Sequence, residues 1–172
     1  LMDAGLALPS KGRSGTVDRF RNRLMIPLCD HHGNTVGFTG RVLDPKDSPK
    51  YMNSPQTPIY DKSALLFGLH LAKAAIKREG CVVVVEGNLD VVASHKAGVE
   101  HVVASSGTAL TERHIQLLKR YTTTLVFSFD ADAAGFAAAR RGMQLARQLG
   151  CTVRVACVPA TLVKDPDEVV QK

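Results

Sequence analysis

The chain has 172 residues, 45% of them hydrophobic, and carries 22 Lys and Arg against 16 Asp and Glu, for a formal net charge of +6. That is enough apolar material for a packed core and excludes wholesale disorder, and the length suits one domain or one domain with an extension. The modest basic excess admits an anionic partner without naming one. Residues 1–18 are rich in Gly, Ser and Lys and read as loosely structured. Arg23 to Cys29 and Thr35 to Leu43 read as strands joined by the turn-like Asp30-His31-His32-Gly33-Asn34, which predicts a hairpin with solvated histidines at its tip. Residues 44–60, with Pro45, Pro49, Pro55 and Pro58, read as an irregular connector. Leu65, Leu66, Leu69, Ala72 and Ile76 then predict a helix from about Asp61 to Arg78, stopped by Gly80.

From there strands and helices alternate: strand 81–85, helix 89–97, strand 101–104, helix 111–121, strand 124–129, helix 133–149, strand 152–158 and helix 166–171. Short connections in such a series imply right-handed crossovers and a parallel sheet. Thr111 and Asp132 are placed to cap the helices that follow them. The division predicted is 1–78 for the basic hairpin, connector and helix, and 79–172 for the parallel α/β part. Cys29, Cys81, Cys151 and Cys157 form no C-x-x-C pair and read as small buried hydrophobes, which fits a reducing cytoplasm. No stretch reaches transmembrane length and no signal peptide opens the chain. Leu1 opens it and the ends lack clear caps, which reads as a piece of a longer protein.

Acids stand just past the apolar strands. Cys81-Val82-Val83-Val84-Val85 runs into Glu86-Gly87, with Asp90 four residues after Glu86. Thr124 to Phe129 runs into Asp130-Ala131-Asp132, and the segment 152–158 is followed by Lys164-Asp165-Pro166-Asp167. Carboxyl ends of parallel strands share one edge, so these acids are expected to gather in one crevice. Crowded carboxylates repel one another and are relieved by hard divalent cations. For Asp90, Asp132 and Asp165 a role at a helix start remains an equal reading. The turn Ser105-Ser106-Gly107-Thr108 either offers backbone N–H groups to an anion or is a plain polar turn.

Several segments carry a family resemblance. Glu86-Gly87-Asn88-Leu89-Asp90-Val91, the Ala104-Ser105-Ser106-Gly107-Thr108 turn with Thr111, and the D-x-D and Lys-Asp-Pro-Asp acids resemble the Toprim domain of bacterial DnaG-type DNA primases. Upstream, Asp18 to Pro27, Gly37 to Leu43 and Pro49 to Pro55 are similar to the basic segments of the same family. The fold implied is a Rossmann-like parallel sheet flanked by helices, with an N-terminal basic hairpin and helix extension.

The resemblance implies a nucleotidyltransferase that makes short RNA primers on single-stranded DNA from ribonucleoside triphosphates. Glu86, Asp130 and Asp132 would be catalytic, and with Asp165, Asp167 and Asp90 would hold two or more Mg2+ or Mn2+ ions. Arg21, Arg23, Arg41, Lys50, Asn53 and Lys62 would line a groove for template or nucleotide phosphates. Zinc and a replicative helicase belong to family regions not in this sequence, and guanosine polyphosphates could occupy the groove as inhibitors. Primases often carry an aromatic residue where Asn88 stands. Other readings are a Toprim nuclease or topoisomerase piece, an aspartate-receiver domain, and a nucleotide-binding module without turnover. Tyr51, Tyr60 and Tyr121 have no motif marking them as a topoisomerase nucleophile, and the acid order is wrong for a receiver.

Overall fold

The computed structural model describes residues 1–10, 12, 14–129 and 133–156, the stretch 133–136 by its backbone. They fall into two compact units, Leu1–Lys62 and the segment from Ser63 onward.

The first unit is built from antiparallel strands. β1 (Ala7–Pro9) pairs with β2 (Thr16–Asp18), so the opening residues form a short hairpin where sequence predicts a loose segment. Three-residue strands carry too little alternation to be read from sequence. β3 (Arg23–Cys29) and β4 (Thr35–Val42) form the predicted hairpin. Its turn is fixed by Asp30, whose carboxylate accepts from the His32 and Asn34 backbone N–H groups and from the Asn34 amide. The connector hides a further strand, β5 (Tyr51–Asn53), which pairs with β4 and completes a sheet of order β3-β4-β5.

The second unit is a parallel α/β layer. Its elements in order are α1 (Leu69–Glu79), β6 (Val82–Val85), α2 (Asn88–Lys96), β7 (Val102–Ala104), α3 (Glu112–Leu118), β8 (Thr124–Phe127), α4 (Ala133–Gln148) and β9 (Thr152–Val155). Among the described residues the sheet has the order β7-β6-β8-β9, with every pair parallel. Alternate residues Val82 and Val84 of β6 share a face with Leu125 and Phe127 of β8. That face packs against Leu69, Ala72 and Ile76 of α1, Ile115 and Leu118 of α3, and Ala146 of α4. Each Val, Leu, Ile or Phe side chain among these stabilises the fold by about 1.5–3 kcal/mol when fully buried.

α1 starts eight residues later than its apolar spacing predicts. Gly68 stands before it at φ +81°, and a Cβ there would meet Val91 Cγ1 at 2.7 Å. Just upstream, Phe67 exchanges backbone hydrogen bonds of 2.8 and 3.1 Å with Ala104, so the chain here serves as an extra rung on the edge of β7. Leu65 and Leu66 are therefore buried without being helical. Thr111 caps α3 as predicted: its hydroxyl accepts from the His114 N–H, and its own N–H donates to His114 Nδ1. Cys151 is buried, and burial pushes its thiol up against the opposing influence of Lys119. Cys29 and Cys81 are only half-buried, and Cys157 lies outside the described residues. No helix among the described residues is long and apolar enough to cross a membrane.

Candidate metal centre and basic face

The strand order decides where a ligand belongs. From β6 the chain crosses to β7 on one side, and β8 then takes its place on the other side of β6. Connections that leave neighbouring strands in opposite directions open a crevice at their carboxyl ends, here between β6 and β8. Pairing is kept up to that edge: the Ser128 N–H donates to the Val84 carbonyl at 3.0 Å, and the Ala156 N–H to the Phe127 carbonyl at 2.9 Å. Glu86 is the residue immediately after β6. It is half-buried, with its Oε1 sealed from solvent.

Asp90 lies in the first turn of α2, and its Oδ2 accepts from the Gly87 N–H at 2.9 Å. This is one half of a capping box; Gly87, the N-cap, has no side chain to supply the other half. A Cβ on Gly87 would stand 2.9 Å from that same Asp90 oxygen, so a larger residue here would have to displace the Asp90 carboxylate. The helix-start reading of Asp90 is thus met, with one oxygen committed to it.

Asp130, Asp132, Asp165 and Asp167 lie outside the described residues, as do the helix-start roles predicted for Asp132 and Asp165. Among the described residues no three His, Cys, Asp or Glu side chains gather as a metal site. The donors described at this edge, Glu86 and Asp90, are carboxylates, the oxygen chemistry that suits a hard divalent cation. The residues present therefore fit such an ion.

The turn after β7 is closed on itself by its own side chains. The Ser105 hydroxyl donates to the Thr108 carbonyl and the Thr108 hydroxyl donates back to the Ser105 carbonyl, each at 2.7 Å. Ser105 and Ser106 are both buried. Both hydroxyls that bracket the turn are spent on closing it.

In the first unit the register sorts the basic residues onto two faces. Leu24, Arg41 and Tyr51 stand opposite one another across β3, β4 and β5, and Asn53 lies two residues from Tyr51 on the same face. The Arg41 guanidinium lies 5.8 Å from the Tyr51 ring centre and the Lys50 ammonium 6.0 Å, near the outer reach of a cation–π contact. Arg23 is paired with Val42 and belongs to the opposite face. There it folds over Gly40, donating to the Gly40 carbonyl at 3.1 Å beside Phe20. The register thus puts Arg41 with Tyr51 and Asn53 on one face and Arg23 on the other, while Lys50 stands just outside β5, its carbonyl accepting from the Val42 N–H. Arg21 is exposed and Lys62 half-buried. Sequence reasoning passed over Tyr51 as a site residue; its place directly after Lys50 was the available signal.

Known proteins agree with this architecture. A family described as the DNA primase catalytic core, N-terminal domain, matches residues 1–73, and a Toprim-like family matches residues 83–170. The DNA primase of Synechococcus elongatus is 47% identical over 176 residues, covering 99% of this chain and 25% of that protein. The DNA primase of Clostridium acetobutylicum is 43% identical over 174 residues, covering 100% of this chain and 28% of its own length. The chain therefore spans about a quarter of the length of the curated relatives it matches.

Among solved structures, the zinc-binding and RNA polymerase domains of the Aquifex aeolicus primase match with a TM-score of 0.90 at 36% identity, covering 99% of this chain and 41% of that one. The E. coli primase catalytic core matches at 0.88 and 40% identity, over 99% of this chain and 54% of that one. A DnaG primase catalytic domain bound to single-stranded DNA matches at 0.86 and 40% identity, over 99% of this chain and 53% of that one. A Toprim-like domain implies divalent-metal binding. With both family segments in order and a sheet whose switch point receives Glu86, the chain belongs to the DnaG-type DNA primases, as part of their catalytic core with its Toprim domain.

Proposed function

We propose that this chain supplies the metal-binding and phosphate-binding parts of a DNA primase, a DNA-directed RNA polymerase that lays down short RNA primers on single-stranded DNA. The observation that carries the reading is Glu86 at the β6–β8 switch point, with one carboxylate oxygen sealed from solvent. The primase structure bound to single-stranded DNA supports the choice of template.

In the reaction, a nucleotide hydroxyl attacks the α-phosphorus of a ribonucleoside triphosphate. A P–O bond forms, the bond to pyrophosphate breaks, and the proton of the attacking hydroxyl passes to water. A bound Mg2+ or Mn2+ ion would lower the pKa of that hydroxyl and neutralise charge on the leaving phosphates. Glu86, Asp130 and Asp132 would form the catalytic set that holds the ions, joined by Asp165, Asp167 and Asp90. A sheet edge suits this work because its backbone is fixed before any ion arrives.

The 1–78 region would hold the nucleic acid and the 79–172 region the ions. Arg41 and Asn53 share one sheet face and would engage template or triphosphate phosphates, with Lys50, Arg21 and Lys62 extending the basic surface. Tyr51 between the two cations offers a ring for a base to stack on. Arg23 braces the same strands from behind. Guanosine polyphosphates carry the phosphate groups this face would select and would compete there with triphosphates. A replicative helicase would be a partner of the whole protein.

The test is Glu86→Gln in the intact primase, measured by ribonucleotide incorporation on single-stranded DNA with Mg2+. Synthesis is expected to fall by more than about a hundredfold while the melting temperature holds. Normal primer yield would contradict the reading.

A further inference from the structure

A side-chain hydrogen bond joins two segments that backbone pairing leaves unlinked. The Ser106 hydroxyl, in the turn after β7, donates to Asn88 Oδ1 at 2.8 Å. Asn88 is the first residue of α2 and stands two positions after Glu86. Ser106 is 7% exposed and sits at φ +57°, a conformation that glycine adopts more readily than serine. A glycine would ease that backbone but could not supply the hydroxyl. The turn that carries Ser106 is itself rigid, closed by the reciprocal Ser105–Thr108 bonds.

The linked segment needs an anchor. Only Glu86 and Gly87 separate the end of β6 from the start of α2. Gly87 is a soft joint, held by Asp90 from within the same helix. That bond shapes the helix start but does not fix the direction in which the helix leaves the sheet. The Asn88–Ser106 bond ties the first residue of the helix to the turn after β7, which is paired to β6, and farther along the helix His95 Nε2 lies 3.0 Å from the Val102 carbonyl of β7.

We propose that Asn88 and Ser106 act as a positioning pair for Glu86, tying the Glu86-Gly87-Asn88 segment to the closed turn after β7 so that the Glu86 carboxylate is set in advance for a divalent cation. The inference rests on the reading of Glu86 as a metal-binding residue. Groups that orient a ligand from behind commonly change metal affinity or activity by about 10–100-fold when removed.

The test uses the intact primase, with Mn2+ binding followed by calorimetry and folding by thermal melting. Loss of Mn2+ binding in Glu86→Gln first identifies the site concerned. Ser106→Gly removes the hydroxyl while relieving the positive φ, so it is expected to melt no lower than wild type. It is nevertheless expected to bind Mn2+ at that site about tenfold more weakly. Asn88→Ala should show the same loss, and the double variant should be no weaker than either single one, since one interaction is removed in every case. Wild-type Mn2+ affinity in Ser106→Gly, or losses that multiply in the double variant, would overturn the pairing while leaving the metal reading intact. Unchanged Mn2+ binding in Glu86→Gln would instead overturn the metal reading on which the pairing rests.

Discussion

The Asp90 carboxylate lies 2.9 Å from the backbone nitrogen of Gly87, so the acid four residues after Glu86 is also the clamp on the joint beside it. The two roles proposed for Asp90 are separable. Asp90→Asn keeps an oxygen acceptor for the Gly87 N–H, and its stability should drop by no more than about 0.5 kcal/mol. Asp90→Ala loses the bond and should cost about 1 kcal/mol. If the other carboxylate oxygen helps to hold a cation, Asp90→Asn will weaken Mn2+ binding at nearly wild-type stability. Denaturant unfolding and Mn2+ calorimetry on the two variants separate the effects.

Arg23 and Arg41 should respond differently to truncation, because they occupy opposite faces of one sheet. Arg41→Ala should leave melting unchanged but weaken single-stranded DNA binding, reducing the slope of log affinity against log salt by about 0.7. Arg23→Ala removes the bond to the Gly40 carbonyl and the cover over Phe20, and should destabilise by about 1 kcal/mol with a smaller change in slope. Salt titrations of DNA binding beside melting curves provide the comparison. Equal salt slopes and equal stabilities would contradict the two-face assignment.

Asp30 gives the hairpin an acid-sensitive turn. Burial tends to raise its pKa, but the Asn34 amide and the backbone N–H groups of Asn34, His32 and Gly33 outweigh it and hold the carboxyl at about 2, below its ordinary 3.8. A lowered folded-state pKa contributes stability above the unfolded value and loses it as pH falls through the folded one. The contribution should thus be complete above about pH 4 and fade towards about pH 2. Asp30 is largely open to solvent, so the effect will be small. Asp30→Asn should flatten that part of the stability–pH curve, measured by denaturant midpoints across the range.

Elements with strong local signals were legible in the sequence, and those made by long-range pairing were not. Val82 to Val85 and Thr124 to Phe127 read as buried strands because parallel strands covered on both faces are apolar throughout. Glu86 was legible for the same reason: a charge that ends such a run marks the sheet edge. Thr111 announced itself as a cap by residue type. The start of α1 was not legible, since Leu65 and Leu66 continue its apolar spacing and only the bridge from Phe67 to Ala104 takes them out of the helix. β5 was hidden among prolines and depends on β4 for its partners. The parting of Arg23 from Arg41 follows from a register that no local pattern states. The Asn88–Ser106 bond joins residues 18 positions apart, and neither residue type alone predicts it.

The central claim is that a divalent cation is held at the β6–β8 switch point by Glu86. Anomalous scattering from primase crystals soaked in Mn2+ tests it most directly. The account predicts a peak at about 2.0–2.6 Å from a Glu86 carboxylate oxygen, the contact range of hard cations on oxygen. Manganese found only at other surfaces, with none touching Glu86, would contradict it.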